Sequence, residues 1–367
     1  MERDTLLENS QVLEGYFGIC IDNLGQKYGV RLATAKDAYE IVRLYSEIYD
    51  NIYIEPGVSD VLVLEKNLKN PNEFWFVGEI ISNKVEKEIV GSGTVKKSDE
   101  LTLSASKAVI SKKYQKRGVG NALGTKGILT ALSLPQFSNT IRLVAEARAF
   151  NLYSQKVMEK AGASPYAFNP VYVNYGRRNW KEINENNPYL GGSIEPAIYY
   201  LRPLPGFWKK RDYEIQLLDN EDILYFYQII KNQQKRMKRD QIIIGSKLGI
   251  NWQECEITPR SELGGVFIKG YLHNALLQHY LYKYSGWRYI EWRVPTTEKG
   301  LDSMNLALNN NFKVIGYDIG SLQTLDDHIV DCVIFARFLK PIRMRRFKYM
   351  DLTNESSLLA YKVLSQL

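Results

Sequence analysis

The sequence predicts an α/β (α+β) chain of two successive domains, and three observations carry that expectation. Segments of strand-like and helix-like period alternate along all 367 residues. The order of those segments in the first half recurs in the second, as in a degenerate duplication. Between the halves stands Leu204-Pro205-Gly206-Phe207-Trp208, a Pro-Gly break that reads as a linker. The expected division is an N-terminal extension over 1–28, a first domain over 29–203, a linker over 204–212, a second domain over 213–340 and a basic C-terminal tail over 341–367.

In the first domain, residues 30–34 read as a short strand. Residues 35–49 follow as a helix, with Ala38, Ile41, Val42, Leu44, Tyr45 and Ile48 at helical spacing. A second helix is expected over 58–68, and strands over 74–81, 88–95 and 101–110. Residues 121–134 form a helix stopped near Pro135, and 141–148 a strand. Residues 151–161 form a helix, with Gly162 as its C-cap. Strands are expected over 166–173 and 197–202, with Asn184 to Pro196 as the loop between them. In the second domain the expected strands are 213–218, 241–244, 264–268, 289–294, 312–317 and 331–339. The expected helices there are 221–236, begun by Asn220 as N-cap, 271–284 and 301–309.

Composition is that of a globular chain, 45% hydrophobic and 24% charged. No apolar run is long enough to span a bilayer, and Met1-Glu2-Arg3-Asp4 does not open a signal peptide. The expectation is a cytoplasmic protein. Cys20, Cys255 and Cys332 are far apart, which argues against a disulfide framework or a zinc site. His273 and His279 lack the i, i+4 spacing of a helical metal pair, so no metal is expected. The net charge of +7 suits an anionic cofactor or an acidic partner. Basic runs stand at 235–239 and 343–348. No nucleic-acid motif accompanies them, and they read as a solvated helix face and a basic tail.

The segment with the most chemistry is Gln115-Lys116-Arg117-Gly118-Val119-Gly120. It joins an apolar strand to the helix that opens at Asn121. Turn amides and a helix N-terminus there converge on one negative group. The glycines allow close approach and unusual backbone angles. The segment lacks the Lys-Ser/Thr ending of a nucleotide P-loop and the spacing of a dinucleotide fingerprint.

Gln115-x-x-Gly118-x-Gly120 resembles the Gln/Arg-x-x-Gly-x-Gly/Ala motif of the GNAT superfamily of acyl-CoA N-acyltransferases. A second family signature resembles the stretch after it, where Asn151, Ser154, Val157 and Gly162 stand at matching places. The resemblance covers about residues 29–203. It implies a mixed, mostly antiparallel twisted sheet flanked by helices, and acyl-CoA (acetyl-CoA or a longer acyl-CoA) as co-substrate. By the same resemblance Gln115, Lys116, Arg117, Gly118, Val119, Gly120 and Asn121 would hold the pyrophosphate. Ala108, Val109 and Ile110 would pair with the pantetheine arm, and Asn151 and Ser154 would contact it. Lys112 and Lys113 are further candidates for phosphate.

Acyl transfer to an amine needs a proton acceptor, because an ammonium has no lone pair. Glu146 looks like the glutamate that acts as base in the bacterial ribosomal-protein acetyltransferases of the family; Glu100 is a second candidate. Where many members carry a general-acid tyrosine, this chain has Met158, and where they carry Phe it has Ala163. Tyr153 or a residue of the second domain is then the candidate acid. The same two positions suggest room for a longer acyl chain. The expected acceptor is a primary amine on a peptide, a protein or a small molecule.

The second half resembles a worn GNAT domain. Ser303, Leu306 and Phe312 keep the rhythm of the second signature, while Gly300 replaces its Asn and Asn311 its Gly. No glycine turn precedes residue 271, so this domain is expected to shape the acceptor site without binding CoA, as in other tandem members. Its dense aromatic residues, from Tyr271 to Trp292, read mainly as core. A non-catalytic CoA-binding regulatory protein is the alternative function.

Overall fold

The computed structural model describes residues 15–49, 53, 56–81, 88–174, 194–246, 249, 254–261 and 263–367. The chain divides into two compact units. One comprises Met1–Ala145 and Lys156–Ala163; the other comprises Glu146–Gln155 and Ser164–Leu367.

The first unit begins with β1 (Gly18–Ile21), β2 (Lys27–Leu32), α1 (Ala38–Tyr49) and α2 (Val61–Asn67). Then come β3 (Glu73–Ile80), β4 (Ile89–Lys97) and β5 (Thr102–Ile110). The segment continues through α3 (Val119–Leu132) into β6 (Arg142–Arg148), whose last residues belong to the second unit. Neighbouring strands from β1 to β5 pair antiparallel, and β5 pairs parallel with β6. The sheet buries one face under α1 and α2. Ile41, Leu44, Tyr45 and Leu64 from the helices pack there with Trp75, Val77 and Val109 from the strands. Each fully buried aliphatic of this kind contributes about 1.5–3 kcal/mol. Against the other face, Gly127 lets α3 approach Phe76, whose ring stands 2.5 Å from where a Cβ would sit.

α4 (Leu152–Lys160) is shared between the units. The second unit continues with β7 (Ser164–Asn174), β8 (Ile194–Pro203), the short α5 (Phe207–Lys210), β9 (Glu214–Leu218) and α6 (Glu221–Gln233). β10 (Gln241–Gly245), β11 (Glu254–Arg260), β12 (Gly265–Tyr271), α7 (Asn274–Lys283) and β13 (Tyr289–Pro295) follow. α8 (Glu298–Asn309), β14 (Lys313–Gln323), β15 (Ile329–Phe338) and α9 (Asn354–Ser365) complete it. The main sheet runs β8-β7-β14-β15-β13-β12-β11, and β9 pairs with β10 apart from it.

That sheet is curled. β8 and β13 are four strand steps apart in it, roughly 19 Å if flat at about 4.8 Å per step. Yet the Tyr199 hydroxyl on β8 donates to Glu291 Oε2 on β13 at 2.7 Å. The Tyr289 hydroxyl likewise reaches the carbonyl of Tyr172 on β7 at 3.1 Å. Gly316 permits the junction between β7 and β14, because a Cβ there would lie 2.2 Å from that of Ala167.

Several expectations change. The extension over 1–28 contains β1 and the start of β2, while residues 1–14 lie outside the described residues. The linker over 204–212 contains α5 and the buried Arg211. β7 and β8, expected in the first domain, fall in the second unit, because β8 pairs with β7 and β7 meets β14. Of the loop expected over 184–196, the part up to 193 lies outside the described residues and the rest begins β8. The basic tail over 341–367 is not a tail. It carries α9, whose Ser356 shares a 2.7 Å hydrogen bond with Tyr200 and whose C-cap, Gln366, brackets Val314.

Candidate active site

The glycine turn of the first unit bends sharply into a helix start. Lys116 and Gly118 both adopt left-handed angles, φ 61° and 87°. Gly118 is the N-cap of α3, and the first bond into the helix runs from Ala122 N–H to the Gly118 carbonyl. The amides of Val119, Gly120 and Asn121 therefore precede the helical ladder and lack intrahelical partners. Gly120 lets the helix start lie against β5, since a Cβ there would stand 3.2 Å from Ile110. The Gln115 amide donates to the Ile110 carbonyl at 3.0 Å and ties the turn to the strand end. Asn121 Oδ1 and Thr125 Oγ1, one turn apart on α3, are buried without a hydrogen-bond partner.

The strand that feeds this turn has an open edge. β5 pairs with β6 only over Thr102↔Arg142, Leu103↔Leu143 and Ser104↔Val144. From Ala105 to Ile110 its backbone on that side has no strand partner among the described residues. The other edge of β5 carries a bulge against β4, with Lys107 at φ 56°. Lys107 is held there by its carbonyl, which accepts from the Tyr45 hydroxyl, and by its ammonium over the Trp75 ring at 5.0 Å.

The four cations expected around the turn are not equivalent. Arg117 faces Asp22 at 3.8 Å and lies over the Tyr114 ring. Burial raises the Asp22 carboxyl, but hydrogen bonds from Tyr28, Gln26 and Leu24 outweigh it and leave the net shift downward. Lys113 faces Glu88 at 3.4 Å. The Lys112 amide donates to Glu47 at 2.8 Å. Lys116 is exposed and has no side-chain partner among the described residues.

Of the remaining sequence-derived candidates, Glu100 lies exposed in the first unit and pairs with Lys97 at 2.7 Å, and the others belong to the second unit. Glu146 is exposed on β6, between the buried Ala145 and Ala147. Arg148 is bound to Glu195 through two bonds of 2.6 and 2.7 Å. Asn151 caps α4: its Oδ1 accepts from the amides of Tyr153 and Ser154 at 3.0 and 3.3 Å. Ser154 Oγ donates back to the Asn151 carbonyl at 2.8 Å. Tyr153 is 54% exposed. Met158 and Ala163, which lie in the first unit, are buried.

Sequence reasoning missed a polar cluster in the hollow of the curled sheet. Glu291 and Asp318, both fully buried, share Arg293 at 3.1 and 2.6 Å. The rings of Tyr172 and Tyr199 meet edge to face at 5.4 Å, and Tyr199 bonds Glu291. Burial, and next the negative charge of Glu146, pushes the Tyr172 phenol well above its ordinary range. Burial and Glu291 do the same to Tyr199. The only signal in the sequence was the density of tyrosines, because these residues come from four separate strands.

The corresponding segment of the second unit is built differently. Its α7 is capped by His273, whose Nδ1 accepts from Leu276 N–H at 3.3 Å. β12 pairs with β13 from Gly265↔Tyr289 through Lys269↔Arg293. Asn311 adopts φ 60° after α8, as Gly162 adopts φ 80° after α4.

Among the described residues no group of metal-ligating side chains assembles, and no helix is long and apolar enough to cross a membrane. No protein-family model matches the chain, and no curated protein matches it. Solved structures are similar over about half of it. The ribosomal-protein-S5-alanine acetyltransferase from Vibrio fischeri aligns over 49% of this chain and 94% of its own, at 17% identity and a TM-score of 0.36. An acetyltransferase of the GNAT family from Streptococcus pneumoniae aligns over 48% and 99%, at 16% identity and 0.37. A putative acetyltransferase from Salmonella typhimurium, solved with acetyl-CoA, aligns over 48% and 94%, at 15% identity and 0.34.

Proposed function

We propose that the chain is an N-acyltransferase of the GNAT type, which moves an acyl group from acyl-CoA to a primary amine. One observation carries the reading: an open strand edge, Ala105 to Ile110, runs directly into a helix start with free-standing amides. An extended amide-bearing arm adds to such an edge as a strand would, and a pyrophosphate suits the amides and dipole beyond it. Ala108, Val109 and Ile110 pair with the arm. Residues 115–121 hold the phosphates, with Lys116 as their counter-ion. Asn151, its Oδ1 committed to capping, offers its Nδ2, and Ser154 holds it in place.

The thioester supplies the activated acyl group; the protein supplies proton transfer. Glu146 takes a proton from the acceptor ammonium, and Tyr153 is the donor to the leaving thiolate. Met158, which has no proton to give, and the small Ala163 support acyl chains longer than acetyl. The worn second half serves the acceptor, and we favour a peptide or protein amine.

Calorimetric titration of coenzyme A into the full chain tests the cofactor site. Tight binding is expected, and its absence ends the proposal. Thiol release with a panel of amines and acyl-CoA chain lengths tests the reaction. A strong preference for acetyl-CoA would remove the longer-chain reading. Met158 itself favours a second reading, a CoA-binding regulator without chemistry. Coenzyme A binding with no amine ever acylated would select it.

A further inference from the structure

Several buried or half-buried arginines of this protein sit against carboxylates. Arg211 is held by Asp240 and Asp331, Arg293 by Glu291 and Asp318, Arg31 by Asp37 and Glu79, and Arg148 by Glu195. That is the expected pattern, because an unpaired charge out of water is costly. Two arginines of the second unit break it.

Arg346, 5% exposed, spends Nη1 on the Ile194 carbonyl at 2.6 Å and Nη2 on the Pro170 carbonyl at 2.5 Å. Its Nε is buried with no partner among the described residues. Arg288 donates Nη1 to the next carbonyl along β7, that of Val171, at 3.2 Å. Neither has a carboxylate in ion-pair range among the described residues, and Glu195 is taken by Arg148. The β7 ladder slips between Asn169 and Val173, and the two guanidiniums hang on consecutive residues of that slip. Burial pushes Arg346 down to about 10, and the positive charge of Arg288 pushes the same way.

Beside them lies a recess of about 380 Å³, lined by Ile194, Ser261, Gly264, Trp287, Arg288 and Lys340. Its size falls in the range of small-molecule sites. Gly264, at φ 65°, lines it beside the Arg288 guanidinium, whose Nη2 would stand 2.6 Å from a Cβ there. Among its described residues the lining has two cations and no acid.

We propose that this recess binds a small organic anion, with its carboxylate or phosphate on Arg288 and Lys340 and its apolar body against Trp287 and Ile194. The fork of Arg288 suits a planar or tetrahedral oxyanion. Arg346 acts from behind, by adding positive potential. None of these residues belongs to the glycine turn or the proton-transfer groups, so the site stands whether or not acyl transfer does.

The test is calorimetry on the full chain held in saturating coenzyme A, which occupies the other anion site. The probes are inorganic phosphate, phenyl phosphate and benzoate. Saturable one-to-one binding of phenyl phosphate or benzoate is expected, tighter than inorganic phosphate, and whichever binds tighter names the head group. Arg288→Gln should weaken it about 10- to 100-fold, as for loss of a charge-assisted bond. Lys340→Gln, an exposed change, should weaken it about 2- to 5-fold. No saturable binding by the wild type overturns the proposal. So does affinity unchanged in both variants, and if Arg288→Gln does not fold, unchanged affinity in Lys340→Gln decides against it.

Discussion

The strand–turn–helix segments of the two units share an order and differ at each point where an acyl-CoA would touch. β5 leaves β6 after Ser104 and ends on a turn with two left-handed residues. β12 stays paired with β13 through Lys269, and its helix is capped by a side chain, His273. An edge that is already paired cannot add a ligand strand, and amides that are already capped do not seek an anion. The difference extends to the proposed proton acceptor, although Glu146 itself falls in the second unit. Glu146 stands five residues before Asn151, and the residue five before Gly300 is Pro295, which has no group to titrate. The two segments thus differ in three local features: a paired edge, a side-chain cap, and a proline in place of a carboxylate.

The largest effect should come from the position where the halves differ most in chemistry. Glu146→Gln keeps shape and removes the base, so turnover should fall about 100- to 10,000-fold. Coenzyme A affinity should stay within about twofold, because the substitution touches neither amides nor the β5 edge. Steady-state kinetics beside calorimetry separates the two. A variant with full activity would place the proton acceptor elsewhere and leave the Pro295 comparison without meaning.

Next is the turn. Gly118→Val puts a β-branched residue at φ 87°, at a strain cost of about 1–3 kcal/mol. Coenzyme A affinity should fall about 5- to 150-fold if relaxation of the turn misaims the amides. His273→Ala, at the matching place in the second unit, should leave that affinity unchanged and lower the melting temperature only slightly. Equal loss from both would mean that the second turn also serves the cofactor.

The strand-to-helix turn and the Gly162 cap were legible because each depends on neighbours in sequence, whereas the capping of α4 by Asn151 was not foreseen. The Asn220 cap was legible for the same reason, and its Oδ1 accepts from Asp222 and Ile223. The cluster of Tyr199, Glu291, Arg293 and Asp318 was not, because it exists only once the sheet curls. β11 was missed because its outward residues are polar and exposed. The unit boundary was misplaced because strand pairing, not chain order, assigns β7 and β8. Arg346 read as one of a basic run, and nothing local marks it as the arginine that turns inward while Arg343 and Arg345 stay exposed.

Gly300 and Asn311 sharpen the comparison on the stability side. Gly300 replaces the asparagine of the signature at a place where a Cβ would lie 1.8 Å from the Pro295 carbonyl. Gly300→Ala should destabilise by about 1–3 kcal/mol, as overpacking against backbone does. Chemical denaturation reads it, and a neutral result would show that the start of α8 can shift.

Asn311→Gly should have the smallest effect. The residue after α8 must turn left-handed, and asparagine manages it at φ 60° where the first unit uses glycine at φ 80°. Glycine removes the αL strain but adds freedom to the unfolded chain, two terms of opposite sign and about 0.5–1 kcal/mol each. The melting temperature should therefore barely move, whereas Asn311→Val should lower it, because a β-branched residue resists that angle. If glycine instead stabilised the chain strongly, asparagine would be a strained remnant and not an equivalent solution to the same turn.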